Sequence, residues 1–334
     1  MSAPKHIDKL KEMVFHDLSP TTFNDLALEL FRYQSKENLL YADYLSHLGV
    51  KPNKIMDPRR IPFLPIGFFK NHKVISGIFD EEIIFTSSGT GGMQAARHYV
   101  KELSLYEKSF MHAFKHFYGR PEEYRILALL PSYLEREGSS LVYMTDKLIK
   151  AGGHKESGFF LDEHDALAER LRFLSLKGMK TILLGVSFAL LDFAEAYSFA
   201  PRDNMIVMET GGMKGRKEEL TRQDLHQRLK EAFQLSAIHS EYGMTELLSQ
   251  AYSVGEGRFM TPPWMKVFVR DIQDPFSILP TGETGALNII DLANIFSCAF
   301  IETQDLGRVH ADGTFEVLGR TDHSDIRGCS LLVY

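Results

Sequence analysis

The chain has 334 residues, enough for one large domain or two ordinary ones. Hydrophobic residues make up 44% and charged residues 25%, proportions that exclude a disordered or fibrous chain. With 38 basic against 44 acidic residues the net charge is −6, which argues against a nucleic-acid partner, and two cysteines cannot frame a disulfide scaffold.

The opening Met-Ser-Ala-Pro-Lys-His has no apolar stretch that would serve as a signal peptide. The most apolar segment, Ile182 to Leu191, meets Asp192 well before the roughly 20 residues a membrane span needs. A cytoplasmic protein without a membrane span is expected. In chain order, Thr22-Phe23-Asn24-Asp25 reads as a capping box, with Phe23, Leu26, Leu30 and Phe31 following at helical spacing. Pro52, Pro58, Pro62 and Pro65 then mark an extended crossing.

Beyond that crossing the pattern is α/β. Strands are expected at Glu82–Phe85, Tyr124–Leu130, Thr181–Gly185, Met205–Met208 and Ala237–His239, and helices at Lys101–Tyr118 and Arg216–Phe233. Strands alternating with helices predict a largely parallel sheet with function at the strand ends. After Pro262 only short strands follow, at Lys266–Val269, Ala286–Ile290, Cys298–Ile301 and Thr314–Leu318, as in an antiparallel or barrel-like subdomain. No repeat or linker divides the chain. One body is expected, with a helical start and α/β core over 1–261, a β-rich subdomain over 262–318 and a tail over 319–334.

Five segments carry chemistry. Phe85-Thr86-Ser87-Ser88-Gly89-Thr90-Gly91-Gly92 packs hydroxyls and glycines behind a strand, a composition that cradles phosphate, although it lacks the Gly-Lys-Ser/Thr ending of a Walker loop. Glu209-Thr210-Gly211-Gly212 and Ser240-Glu241-Tyr242-Gly243-Met244-Thr245-Glu246 also follow strands. There an aromatic ring can stack on a purine, a hydroxyl can bond a phosphate and a carboxylate can hold Mg²⁺. Thr303-Gln304-Asp305-Leu306-Gly307 and Gly319-Arg320-Thr321-Asp322 add an acid for ribose hydroxyls and a nearby cation. Each alone is also what a turn or cap contains.

In this order the segments resemble the core motifs of the adenylate-forming superfamily of acyl-CoA synthetases, peptide synthetase adenylation domains and luciferases. Within it the closest resemblance is to LuxE-type acyl-protein synthetases of fatty acid reductase systems. The resemblance implies the large N-terminal domain of that fold: mixed and parallel sheets flanked by helices, with a small barrel-like subdomain. It implies ATP and Mg²⁺ as cofactors, a fatty or other carboxylic acid as substrate, and a reductase or carrier protein as acyl acceptor. It assigns Ser87, Ser88, Gly89, Thr90 and Gly91 to the phosphate loop, Gly211 and Gly212 to the adenine wall, and Tyr242 to base stacking. Thr245 would contact the α-phosphate, Glu246 the metal and Asp305 the ribose, with Arg320 close by.

The departures bear on mechanism. Gly91, Gln94 and Ala95 stand where the loop usually has its second Thr, its Pro and its Lys. Full-length relatives also carry a C-terminal domain of about a hundred residues bearing a catalytic lysine. This chain is expected to lack it, leaving Lys214 as a candidate by position only. LuxE-type proteins carry the acyl group on a cysteine near the C-terminus, which matches Cys329 beside Arg327, a cation that favours the thiolate. Cys298 lies in an apolar run and reads as core.

The alternatives are direct loading of coenzyme A or a carrier thiol, and a non-catalytic nucleotide-binding subunit. Gly185-Val186-Ser187-Phe188-Ala189 approximates a nucleophile elbow but lacks the second Gly. His112 and His116 are one helical turn apart without the Glu of a zinc-protease motif.

Overall fold

Helices open the chain: α1 (Lys5–Met13), α2 (Pro20–Glu37) and α3 (Leu39–His47). Ser19 caps α2, accepting from the Thr22 backbone N–H at 3.1 Å, with Pro20 in the first turn. The box expected at Thr22 is thus a turn too late, because proline is favoured where no amide donor is needed. Phe23, Leu26, Leu30 and Phe31 are buried as the spacing requires.

Next come β1 (Leu64–Pro65), α4 (Phe68–Asn71), β2 (Ile83–Thr86) and β3 (Arg97–Val100). The α/β body runs α5 (Leu103–Tyr118), β4 (Arg125–Leu129), α6 (Ser140–Gly152), β5 (Gly158–Phe159), α7 (His164–Leu176) and β6 (Thr181–Val186). It continues with α8 (Ser187–Ala196), β7 (Met205–Thr210), α9 (Arg222–Phe233), β8 (His239–Tyr242) and β9 (Ala251–Ser253). Then follow β10 (Met265–Arg270), β11 (Thr284–Asp291), β12 (Phe300–Val309) and β13 (Phe315–Arg320). The structure, a computed structural model, describes residues 5–16, 18–87, 94–131, 138–197, 204–211 and 220–321.

A six-stranded sheet has the order β5-β4-β6-β7-β8-β9, parallel from β5 to β8 and antiparallel at β9. Every residue of β6 is buried, as a central strand covered on both faces demands. In the second sheet β12 pairs with β11 along one edge, and with β1 and then β13 along the other, while β10 lies outside β11. Of the two forms expected from the short strands, β10 to β13 take the antiparallel one, an open sheet among the described residues and not a barrel. Its outer strand β13 turns to the body instead: Phe315 bridges Phe259, and the adjacent Met260 bridges Tyr252 in β9. That stitching brings the end of β8 against β12. No helix among the described residues is long and apolar enough to cross a membrane.

Candidate active site at the seam between the two sheets

Tyr242 is the last residue of β8, three residues beyond where the apolar pattern Ala237–His239 would stop that strand. Its buried ring packs against Phe259 and Phe315, the pair that stitches the sheets. Its hydroxyl donates to Asp305 Oδ2 at 2.8 Å. Asp305 lies within β12, so the Thr303–Gly307 segment is strand and not turn. It pairs in register with Arg320 of β13, whose Nε lies 3.5 Å from Oδ1. Burial raises the Asp305 carboxyl above its ordinary value, against the Tyr242 hydroxyl and the charges of Arg320 and Arg222. Burial and the Asp305 charge push the Tyr242 hydroxyl well up.

The chain leaves β8 through Gly243, where an added Cβ would meet Glu241 Oε1 at 2.6 Å. No larger residue fits unless that carboxyl moves. Three residues on, the Glu246 carboxyl is buried, and burial pushes it up to about 7 although Arg320 and Lys70 draw it down. The segment after it is anchored by buried Asp291, which accepts from Leu248 N at 2.8 Å, Ser249 N at 3.0 Å and Ser249 Oγ at 2.6 Å. Before it, the Thr245 carbonyl accepts from His98.

Ser87 follows β2 and ties the base of the hydroxyl-glycine loop. Its N–H donates to Ala96 O at 3.0 Å, and its Oγ accepts from Ala96 N at 2.9 Å. Ser88, Gly89, Thr90 and Gly91 lie outside the described residues, as do Gly212, Lys214 and Cys329. Gly211 follows β7 with φ of 71°, a conformation glycine adopts without strain, and its carbonyl accepts from Ser187 Oγ. The structure thus brings Tyr242, Asp305, Arg320 and Glu246 together.

Ser187 is buried at the start of α8, directed at Gly211 O and, at 3.1 Å, at Glu209 Oε2. Ser187 is the first residue of α8, and among the described residues no histidine hydrogen-bonds to its hydroxyl, so the elbow is a helix start. Buried Glu209 also faces Arg222 and His226, each at 3.5 Å. Cys298 is fully buried, its thiol pushed up to about 12 by burial. Four residues at the site escaped the sequence reading: Lys70, His98, Asp291 and Asn294. The last two were signalled by an Asp and an Asn inside the apolar stretch from Ala286 to Ile301; Lys70 and His98 had no such mark.

The donor set suits Mg²⁺ held partly by substrate. Glu246 offers a buried oxygen ligand near Arg320 and Lys70, and among the described residues no salt bridge occupies it. Among the described residues no cluster of three or more acids, His or Cys could hold a metal alone. Magnesium typically takes one or two carboxylates plus substrate phosphates.

A parallel sheet facing an antiparallel one in this arrangement is the fold of the adenylate-forming ligases. A 2-hydroxyisobutyryl-CoA ligase, solved open with its acyl-AMP and CoA, superposes over 92% of this chain and 72% of its own, with TM-score 0.67 at 12% identity. ATP-bound MatB from Rhodopseudomonas palustris matches 73% of this chain with TM-score 0.52 at 18% identity, and this chain spans 49% of MatB. At such identities the likeness shows the fold alone.

The chain belongs to the LuxE acyl-protein synthetase family, whose model matches residues 160–334, more than half of its length. It is 25% identical over 326 residues to the long-chain-fatty-acid–luciferin-component ligase of Vibrio harveyi, covering 90% of this chain and 84% of that protein. The Aliivibrio fischeri protein of the same name is 29% identical over 147 residues.

Proposed function

We propose that the chain is an acyl-protein synthetase that activates a carboxylic acid, a long-chain fatty acid by analogy with the Vibrio harveyi relative, with ATP. The acid's carboxylate oxygen attacks the α-phosphorus, the bond to the β-phosphate breaks, and pyrophosphate leaves with acyl-AMP behind. The Cys329 thiolate then attacks the acyl carbon, AMP leaves, and the thioester passes to an acceptor protein such as a reductase or carrier. A general base is unnecessary for the first step, because the carboxylate is already a nucleophile.

The observation that carries this reading, within the family, is the Tyr242–Asp305–Arg320 group beside buried Glu246. The ribose hydroxyls would donate to Asp305, most directly to Oδ1, whose contact among the described residues is the long one to Arg320. Tyr242 would offer its ring to the base, with Gly211 and Gly212 as the opposite wall. Ser87, Ser88, Gly89, Thr90 and Gly91 would donate to the phosphates and Thr245 to the α-phosphate. A bound Mg²⁺ would neutralise charge on the phosphates at Glu246. Lys70 and Arg320 supply the cationic surroundings for which Lys214 stood as candidate by position.

The test is incubation with ATP, Mg²⁺ and mixed fatty acids, read by pyrophosphate exchange and by intact mass. One acyl mass on the chain, labile to hydroxylamine, supports the reading. Exchange with coenzyme A as the sole acceptor points to a ligase that bypasses Cys329. Binding of ATP with no exchange for any acid points to a non-catalytic subunit.

A further inference from the structure

We propose that His98 and Asn294 are positioning residues that clamp the Thr245–Glu246 peptide for the ATP-dependent step. The inference rests on the adenylating function argued above. His98 Nδ1 donates to Thr245 O at 2.8 Å, and Asn294 Nδ2 donates to Glu246 O at 2.8 Å. Two consecutive carbonyls are thereby held by side chains from β3 and from the turn after β11. Both clamping residues are buried, at 1% and 0% exposure.

Each is itself fixed from behind. The Phe69 ring meets the His98 imidazole edge-on, with centroids 5.9 Å apart. Gln34 of α2 donates through Nε2 to Asn294 O at 2.9 Å and to Ile295 O at 3.0 Å. Asp291 O accepts from Asn294 N at 3.0 Å. A segment that bears two reacting-site side chains is thus bound to three parts of the fold at once. Catalysis by fixed dipoles and carboxylates requires such support, since small displacements of positioned groups are costly.

His98 Nδ1 faces a carbonyl and donates to it. Its Nε2 lies 3.1 Å from Asn294 Oδ1, a contact that links the two clamping residues to each other. Burial pushes the imidazole pKa down to about 4. Among the described residues no charged side chain shifts the ring, which is bounded by Thr245, Asn294 and Phe69. The two bonds to the carbonyls do the clamping. An asparagine at position 98 places an N–H near the Nδ1 position, whereas a glutamine reaches toward the Nε2 position.

The experiment combines acid-dependent pyrophosphate exchange with amide hydrogen exchange over residues 243–250, on the full chain. His98→Gln and Asn294→Leu are expected to lower kcat about tenfold, equivalent to about 1.4 kcal/mol. Both should raise the magnesium needed for half-maximal rate, leave KM for the acid unchanged, and speed amide exchange in that segment. His98→Asn should recover kcat to within about threefold of wild type by supplying the same N–H.

Wild-type kcat in folded His98→Gln and Asn294→Leu overturns the clamp. So does a His98→Asn variant as slow as His98→Gln at equal melting temperature, which would mean shape alone matters. If the wild type exchanges pyrophosphate with no acid, the adenylating function fails instead. Amide exchange then decides the clamp alone: faster in His98→Gln than in His98→Asn supports it, and equal rates overturn it.

Discussion

Asp305 holds the Tyr242 hydroxyl and, in the proposed function, would also accept from ribose; two substitutions separate these roles. It accepts from the buried Tyr242 hydroxyl at 2.8 Å, and its other oxygen faces Arg320 at 3.5 Å. The Arg320 side chain is 68% exposed, so that ion pair is screened and adds little to stability. Asp305→Ala leaves the Tyr242 hydroxyl buried without an acceptor, which costs about 1–3 kcal/mol of folding stability. Asp305→Asn keeps an amide oxygen for Tyr242 and should hold stability within about 1 kcal/mol of wild type. The amide still loses the charged acceptor offered to ribose, worth about 1.5–3 kcal/mol, so ATP should bind roughly tenfold to 150-fold more weakly. Calorimetric titration with ATP reads the second effect, and thermal or urea unfolding reads the first. An Asp305→Asn protein that binds ATP as tightly as wild type refutes the ribose role, whatever its stability.

Three further outcomes are expected. Cys329→Ser should retain acid-dependent pyrophosphate exchange and lose the hydroxylamine-labile adduct, as mass spectrometry would show, because only the second step uses a thiolate. Cys298→Ala should keep both activities and lower stability by about 1–3 kcal/mol, as truncating a buried side chain does; denaturant melts check it. Ser187→Ala should leave acyl transfer near wild type while weakening the contact between α8 and Gly211; abolished transfer would make Ser187 a nucleophile after all.

The α/β body could be read in advance because its strands are short apolar runs and its helices amphipathic, signals carried locally. The Ser187 turn, the buried Cys298 and the strand at Met205 follow from such runs. What spoiled other readings was polarity inside strands. Ala237–His239 looked like a complete strand because Ser240 and Glu241 are polar, yet both are buried in β8. Likewise Cys298–Ile301 looked complete because Glu302 to Asp305 are polar, yet they continue β12. Their polar groups find partners in other elements, as Thr303 Oγ1 does at Leu287 O and Ser240 Oγ at His226 of α9. Such partners are distant in sequence, so no local pattern announces them. The same holds for β1, whose two residues pair with β12, and for the clamp from His98 and Asn294. The motif residues were visible by type and order, but that Tyr242 touches Asp305 was not.

Two carboxyls of one segment, Glu241 and Glu246, are both pushed up to about 7 by burial, yet their surroundings differ in sign. Glu241 accepts from Thr210 Oγ1 and faces the like charge of Glu209, which favours its protonated form. Glu246 faces Arg320 and Lys70, which favour its charge, against a smaller opposing effect of Asp305. A cation-binding carboxylate must ionise, so Glu246 fits that role and Glu241 does not. Stability separates from chemistry accordingly. Glu241 ionises at 4.5 when unfolded and about 7 when folded. Its contribution to folding is complete below about pH 4.5 and is lost as pH rises through about 7. Glu241→Gln keeps an oxygen for Thr210 and needs no proton. It should therefore match wild type near pH 4.5 and exceed it at pH 8, by on the order of 3 kcal/mol. Pyrophosphate exchange should persist in that variant. Glu246→Gln should gain stability in the same direction but reduce exchange sharply and alter its magnesium dependence. Urea unfolding at the two pH values, with exchange measured across magnesium concentrations, resolves the pair. Exchange lost in Glu241→Gln and unchanged in Glu246→Gln would reverse the assignment, and the charges around each carboxyl would no longer explain which one serves the reaction.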